Sequence, residues 1–324
     1  MKALISGISG QDGSYLAELL LSKNYKVFGL VRRTSTQNYW RIQHLLDENK
    51  ITLIDGDLLD QSSLLKAVEA SEPDEVYNLG AMSFVGTSWT QPILTAEING
   101  LGALRMLEAI RIINPKIKVY QASTSELFGS APPPQSEATP FHPRSPYGVS
   151  KLFAHFATIN ARESYGMFTV CGILFNHESS RRGSEFVTRK ITESVAKIKY
   201  GLRKELRLGN LDAYRDWTHA ESMVEAMWLM LQQKTPKDYV CGSGEAHTVR
   251  EFCDLAFSLV GLNYLNYIVV DPAFFRPAEV SHLLADPRRI KEELGWKPRH
   301  TFQDLVEEMV EADCKRISIV VKGF

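Results

Sequence analysis

Tyr147 and Lys151 in the stretch Tyr-Gly-Val-Ser-Lys stand four positions apart, the spacing that puts a phenol and an ammonium on one helical face. A neighbouring cation favours the phenolate, so such a tyrosine can act as a general base toward a hydroxyl near neutral pH. Earlier in the chain, Ser123-Thr124-Ser125-Glu126 follows the apolar run Lys-Val-Tyr-Gln-Ala. It sets a carboxylate just past a strand end, where many nucleotide-binding sheets keep only hydroxyls. A third group, Gly7-Ile8-Ser9-Gly10-Gln11-Asp12-Gly13, joins the first apolar run directly to a helical pattern. Glycines let the backbone turn tightly and approach phosphate oxygens, and a helix N-terminus supplies free N–H groups, so the stretch reads as a pyrophosphate loop. The second run ends in Val31-Arg32-Arg33, where an NAD-binding sheet would carry an acid for the ribose hydroxyl. Two arginines favour a ribose 2'-phosphate, hence NADP over NAD; the other reading is a solvated pair. Asp57, closing the third run, suits either the adenine of the cofactor or a surface cap.

Short β-rich runs alternate with helical patterns through Phe175 to position these groups. A helix is expected from about Tyr15 and another over Ser150–Ser164, the strands between being almost continuously apolar. That rhythm predicts an α/β fold, a doubly wound parallel Rossmann-type sheet, with a smaller α/β C-terminal substrate-binding lobe. Residues 1–176 form the cofactor domain, with some later segments returning to it, and 177–324 are mainly the substrate lobe. The proline-rich stretch from Ala131 to Pro146 is the longest break in the pattern. The terminal Ile-Ser-Ile-Val-Val-Lys-Gly-Phe reads as a short strand or a frayed end.

The 37 basic and 38 acidic residues are spread without a Lys/Arg block, which excludes nucleic acid as main partner. Cys171, Cys241, Cys253 and Cys314 show neither CxxC nor regular spacing, so no metal knuckle or disulfide framework is expected. With no long apolar span and no signal-like N-terminus, a cytoplasmic protein without a membrane anchor or bound metal is expected.

Longer motifs carry a resemblance: the glycine loop, Leu-Gly-Ala-Met-Ser after the fourth strand, Tyr-Gln-Ala-Ser-Thr-Ser-Glu-Leu-Phe-Gly, Pro-Arg-Ser-Pro-Tyr-Gly-Val-Ser-Lys, Arg-Arg-Gly-Ser-Glu-Phe-Val-Thr-Arg-Lys, and Phe-Phe-Arg-Pro-Ala-Glu-Val. In order and over nearly the whole chain they resemble the extended short-chain dehydrogenase/reductase superfamily and, within it, the GDP-mannose 4,6-dehydratase family. The resemblance implies oxidation of the hexose at C4, loss of water across C5 and C6, and return of the hydride to C6, giving the GDP-4-keto-6-deoxy sugar.

Within that resemblance Tyr147, lowered in pKa by Lys151 and the nicotinamide charge, takes the C4 hydroxyl proton and Thr124 hydrogen-bonds the C4 oxygen. Glu126 takes the C5 proton and protonates the leaving C6 oxygen; many sugar-nucleotide dehydratases carry an Asp-Glu pair where this chain has Ser125-Glu126. Gly7, Ser9, Gly10, Gln11, Asp12, Gly13, Arg32, Asp57, Leu58, Leu79, Ala81, Ser83, His177 and Arg182 would join Tyr147 and Lys151 around NADP. Ser83, Ser125, Asn176, Val187, Lys190, Arg215, Arg276 and Glu279 would hold the GDP-sugar. The Arg32–Arg41 stretch resembles an arginine loop that reaches a neighbouring subunit's cofactor, implying a homo-oligomer, a tetramer rather than a dimer. Met82, Ser180 and Thr218 depart from the residues usual in relatives and leave the exact sugar open. A dehydratase of another GDP-sugar such as GDP-manno-heptose and a non-catalytic NADP-binding protein are the competing readings.

Overall fold

In the computed structural model, which describes residues 1–322, each apolar run of the first half becomes a parallel strand. The strands are β1 (Lys2–Ser6), β2 (Lys26–Val31), β3 (Ile51–Asp55), β4 (Glu75–Asn78), β5 (Lys118–Ala122) and β6 (Thr169–Leu174). A later strand, β11 (Tyr239–Cys241), pairs with β6, so that among the described residues one sheet runs β3-β2-β1-β4-β5-β6-β11. All of its pairings are parallel. Both faces are covered, which is why β1 and β6 need no polar alternation. One face packs α1 (Gln11–Ser22) and α9 (Ala220–Leu231) through Leu16, Leu20, Met223 and Met227. The other packs α3 (Gln61–Ser71), α6 (Gly102–Ile113) and α7 (Pro146–Tyr165) through Leu64, Val68, Met106 and Ala161. The connection reverses at β1, whose neighbours are β2 and β4; the crevice beyond the carboxyl ends of such strands is where open α/β sheets bind ligands.

The smaller part of the chain has its own apolar core, in which α8 (Val187–Lys199), α10 (Val249–Ser258) and α12 (Phe302–Lys322) bury Ile191, Val195, Phe252, Phe257, Val306 and Met309. Three two-stranded sheets complete it: β7 (Asn176–Glu178) with β10 (Trp217–His219), β8 (Leu206–Leu208) with β13 (Ile268–Val270), and β9 (Tyr214–Arg215) with β12 (His247–Thr248). No described helix is long and apolar enough to cross a membrane.

Local chemistry sets the element ends and explains three departures from expectation. Helix α1 begins at Gln11, about a turn before Tyr15, because Gly10 is its extended N-cap and the second half of the glycine loop is already helical. Helix α7 begins at Pro146 rather than Ser150. Ser145 caps it by accepting from Gly148 N at 3.0 Å, and proline suits the first helical position, where its missing N–H has no intrahelical partner. Over its described part the terminal run is helical, α12 continuing through Lys322, and Gly323 and Phe324 lie outside the described residues. The packed first half of that helix supplies a nucleus, and propagation outweighs weak local propensity.

Candidate active site

The glycine loop is a backbone structure under close steric limits. Gly7 has φ +74°, the left-handed region that favours glycine. A Cβ on Gly13 would stand 2.5 Å from Ile8 Cα and still closer to Gly7 O, both backbone atoms. Gly10 N donates to Gly7 O at 2.9 Å, closing the turn under the first helical N–H groups. A loop that admits no side chain at its closest packing fits a pyrophosphate against a helix N-terminus.

Gln11 and Asp12 lock this loop to β7. Gln11 Nε2 donates to His177 O at 3.1 Å, and Asp12 Oδ2 lies 2.8 Å from His177 Nε2. His177 Nδ1 faces the Phe175 carbonyl at 2.8 Å, so with a carboxylate on one side and a carbonyl on the other the ring is a double donor, the imidazolium form. Burial opposes charge on both members, yet the pairing prevails: Asp12 is held at about 2 and the imidazolium of His177 is pushed above its ordinary range.

Just past the end of β2, Arg32 is exposed and lines the cavity, whereas Arg33 does not line it. Asp57 lines the cavity and also caps, accepting from Leu59 N at 3.0 Å. After β4 the chain runs through Leu79, Ala81, Met82 and Ser83 along the cavity wall. Asn99 clamps that wall, accepting from Met82 N at 2.8 Å and donating to Met82 O at 3.0 Å. Asn99 is a functional support that sequence reading missed; its signal was a lone amide in the apolar helical stretch from Ile98 to Ile113.

Thr124, Glu126, Tyr147 and Lys151 come together at the ends of β5 and α7. Thr124 caps the short 3-10 turn Ser125–Leu127, its Oγ1 accepting from Glu126 N at 3.2 Å, so capping and a place in the cavity coincide in one residue. Burial pushes the Tyr147 phenol up to about 12, with the Thr124 hydroxyl acting the other way. Lys151 Nζ donates to Ala122 O at 2.8 Å, and burial brings its pKa down to about 8, so that near neutral pH the group is still mostly ammonium. Glu126 Oε1 receives Arg276 Nη1 at 3.3 Å, and Oε2 is buried without a partner.

Further lining residues of the cavity come from separate elements of the smaller part. Arg215 on β9 is buried, its guanidinium 3.5 Å from Glu279 and held below its ordinary range by burial. Lys190 on α8 donates to Arg207 O at 2.8 Å and lies 3.8 Å from the Phe274 ring centroid. Arg182 pairs with Glu178 at 3.0 Å and stacks on Phe186. Phe186 meets Phe84 edge-to-face with centroids 5.6 Å apart, an aromatic contact across the cavity that sequence gave no reason to expect.

Apart from Arg33, the residues singled out above for cofactor, sugar and nucleotide line one cavity of about 780 Å³, Asn176, Val187 and Ser125 included. Ser180 and Thr218 do not line it: Ser180 O accepts from Arg316 Nη2 at 2.7 Å, and Thr218 is buried on β10 against His177. Of the three departures only Met82 faces the ligand space. Within this chain Arg41 turns inward, donating to Arg181 O at 2.7 Å and to Ser9 O at 3.3 Å behind the glycine loop. Burial and the neighbouring guanidinium groups bring it down to about 10.

The comparisons with known proteins agree with this geometry. Residues 4–309 match the family profile described as GDP-mannose 4,6 dehydratase. The chain is 53% identical to GDP-mannose 4,6 dehydratase 2 of Arabidopsis thaliana, over 98% of this chain and 89% of that protein. Among solved structures, dTDP-glucose 4,6-dehydratase of Streptomyces venezuelae with NAD superposes at TM-score 0.88 and 22% identity, covering 98% of each chain. RMD of Pseudomonas aeruginosa with NADPH superposes at 0.82 and 23%, covering 97% of this chain and 99% of that one. At such identities these two speak for the fold alone. The family match, spanning nearly the whole chain and the entire cavity, decides the matter: this chain belongs to the GDP-mannose 4,6-dehydratase family.

Proposed function

We propose that this protein converts GDP-D-mannose to GDP-4-keto-6-deoxy-D-mannose with NADP as its resident pyridine nucleotide. The observation that carries the reading is Glu126: a buried carboxylate stands in the same cavity as Tyr147, Lys151 and Thr124. Moving a hydride and a hydroxyl proton requires only the phenol and its neighbours. Eliminating water from C5 and C6 requires a further acid/base, and Glu126 is the group on hand.

When bound, the dinucleotide supplies a reversible hydride acceptor, and Gly7 to Gly13, Asp57, Leu58, Leu79 and Ala81 hold it. NADP is favoured over NAD by Arg32, which lines the cavity at the end of β2. Thr124 binds the C4 oxygen and Tyr147 takes the C4 hydroxyl proton. Because burial raises the phenol, that step draws on the charge of the filled site. Glu126 then accepts the C5 proton, acidified by the adjacent ketone, and delivers a proton to the departing C6 oxygen. Arg215, Arg276 and Lys190 hold the diphosphate, with Glu279 and Asn176 on the nucleoside side, so the 177–324 part serves as the substrate lobe. The protein works as a homo-oligomer. Exposed Ile93, Leu94 and Leu101 beside Val149, Phe153 and Phe156 of α7 form an apolar stripe suited to a second copy, and the Arg32–Arg41 loop suits a tetramer contact.

The test is incubation with GDP-mannose and catalytic NADP+ in deuterated water, followed by NMR. A 6-deoxy-4-keto product with deuterium at C5, absent with Glu126→Gln, is expected; product formation by that variant at the wild-type rate would sink the role of Glu126. Parallel titrations with NADP+ and NAD+, repeated on Arg32→Ala, test the cofactor preference.

A further inference from the structure

Glu126 is poorly partnered for a buried carboxylate. One oxygen takes a single long N–H contact from Arg276 and the other takes none, a costly arrangement for a charge removed from water. Arg276 reaches it from 150 positions away, out of the segment that follows the short turn Pro272–Phe274. Its side chain is 33% exposed, so the guanidinium stands at the cavity mouth while the carboxylate lies inside at 10%. Beside them the Arg215–Glu279 pair repeats the arrangement at 3.5 Å, and Arg215 lies within Coulomb reach of both Glu126 and Arg276. Two cations suited to a diphosphate are thus each held by a carboxylate in the same cavity.

A carboxylate oxygen covered by a guanidinium is not free to take a proton from carbon. A diphosphate, with one negative charge on each phosphate, offers that guanidinium several charged acceptor oxygens, a stronger partner than one carboxylate oxygen at 3.3 Å. We propose that Arg276 is a substrate-operated latch: it holds Glu126 in the nucleotide-free enzyme and transfers to the arriving nucleoside diphosphate, releasing the carboxylate for C5 only when the nucleotide is seated. Binding energy from the part of the substrate that does not react is thereby used to arm the reacting centre. Arg276 is a positioning residue here, acting through Glu126, and the inference rests on the reading of Glu126 as the C5 base.

The test separates the substrate into pieces. The methyl glycoside of the 4-keto-6-deoxy sugar, which has no phosphate, is incubated with the NADP-loaded enzyme in deuterated water, with and without GDP, and C5 deuteration is followed by NMR. In each turnover the C5–H bond gives its proton to Glu126 and a solvent deuteron returns to carbon. For wild type, GDP is expected to accelerate exchange on the order of tenfold or more. Arg276→Gln is expected to exchange at the faster rate without GDP and to gain nothing from it, while its KM for GDP-mannose rises. Arg276→Lys, which keeps the cation, is expected to restore the slow GDP-free rate. An Arg276 that only holds substrate would raise KM and leave GDP-free exchange at the wild-type rate in Arg276→Gln; that result overturns the latch. Glu126→Gln measured with the intact GDP-4-keto-6-deoxy sugar is the control. If it still exchanges C5, the base assignment fails and the latch with it; if it does not, equal GDP-free rates in wild type and Arg276→Gln sink the latch alone.

Discussion

The two ends of the cavity are built from different materials. The end proposed for the cofactor is mainly backbone: a left-handed glycine, a helix N-terminus and a turn in which a methyl group at Gly13 would strike other backbone atoms. The end proposed for the substrate is made of side chains, Arg215, Arg276, Lys190 and Glu279, joined by contacts as long as 3.5 Å. A backbone cradle offers no side chain to exchange and is set by one short stretch. A side-chain cradle can be retuned one residue at a time, which suits the end that must select a particular sugar nucleotide.

The largest expected effect lies where the two ends meet. Glu126→Gln should lower kcat by about 10²–10⁴-fold in a steady-state assay, with cofactor affinity nearly unchanged. A smaller loss of kcat would mean that another group performs the elimination. Next is Gly13→Ala, expected to destabilise the fold by about 1–3 kcal/mol and to weaken cofactor binding, seen as a lower Tm and a raised Kd for NADP. If it binds as wild type does, the cradle is not the rigid backbone structure described. Arg215→Lys sharpens the contrast from the other side. Losing the two-pronged guanidinium should raise KM for GDP-mannose by about tenfold or more while Kd for NADP stays put.

A subtler effect concerns the Asp12–His177 clamp behind the glycine loop. His177 has a raised folded pKa, so its contribution is complete below the ordinary imidazole pKa of about 6.5 and is lost as pH rises through the folded value. Asp12 is lowered to about 2, so its contribution is complete above the unfolded carboxylate value and is lost only as pH falls toward 2. Tm against pH should therefore decline on the alkaline side in wild type and flatten there in His177→Gln. The smallest effect is expected at Thr218→Gly, which lies outside the cavity and should leave the preference among GDP-sugars unchanged, whereas Met82→Gln, inside it, should alter that preference. Competition assays between two GDP-hexoses check both.

The glycine loop, the Tyr147–Lys151 spacing and the parallel strands were legible because each is written within a few neighbouring residues. Strand periodicity and helix spacing depend on local geometry that the chain carries wherever it goes. Even the early starts of α1 and α7 have local causes, the extended Gly10 and the Ser145-Pro146 cap, although Pro-Tyr-Gly looks like a turn when read alone. The residues proposed for the substrate were singled out only through resemblance, since an isolated arginine in sequence is equally a surface residue.

Other features could not be read from local sequence, even where, as at Asn99, a lone amide marked the residue. The Asn99 clamp on Met82, the removal of Ser180 and Thr218 from the cavity wall and the reach of Arg276 to Glu126 depend on which distant segments meet. The state of Tyr147 is of the same kind: four positions from Lys151 the pattern promises a lowered phenol, and burial raises it. The order of residues by itself determined the sheet, the loop and the identity of the reactive groups, because those follow from short-range backbone geometry. Only the tertiary structure decided which charges face one another and how much water remains around them, because desolvation and Coulomb energy depend on distance and burial in space.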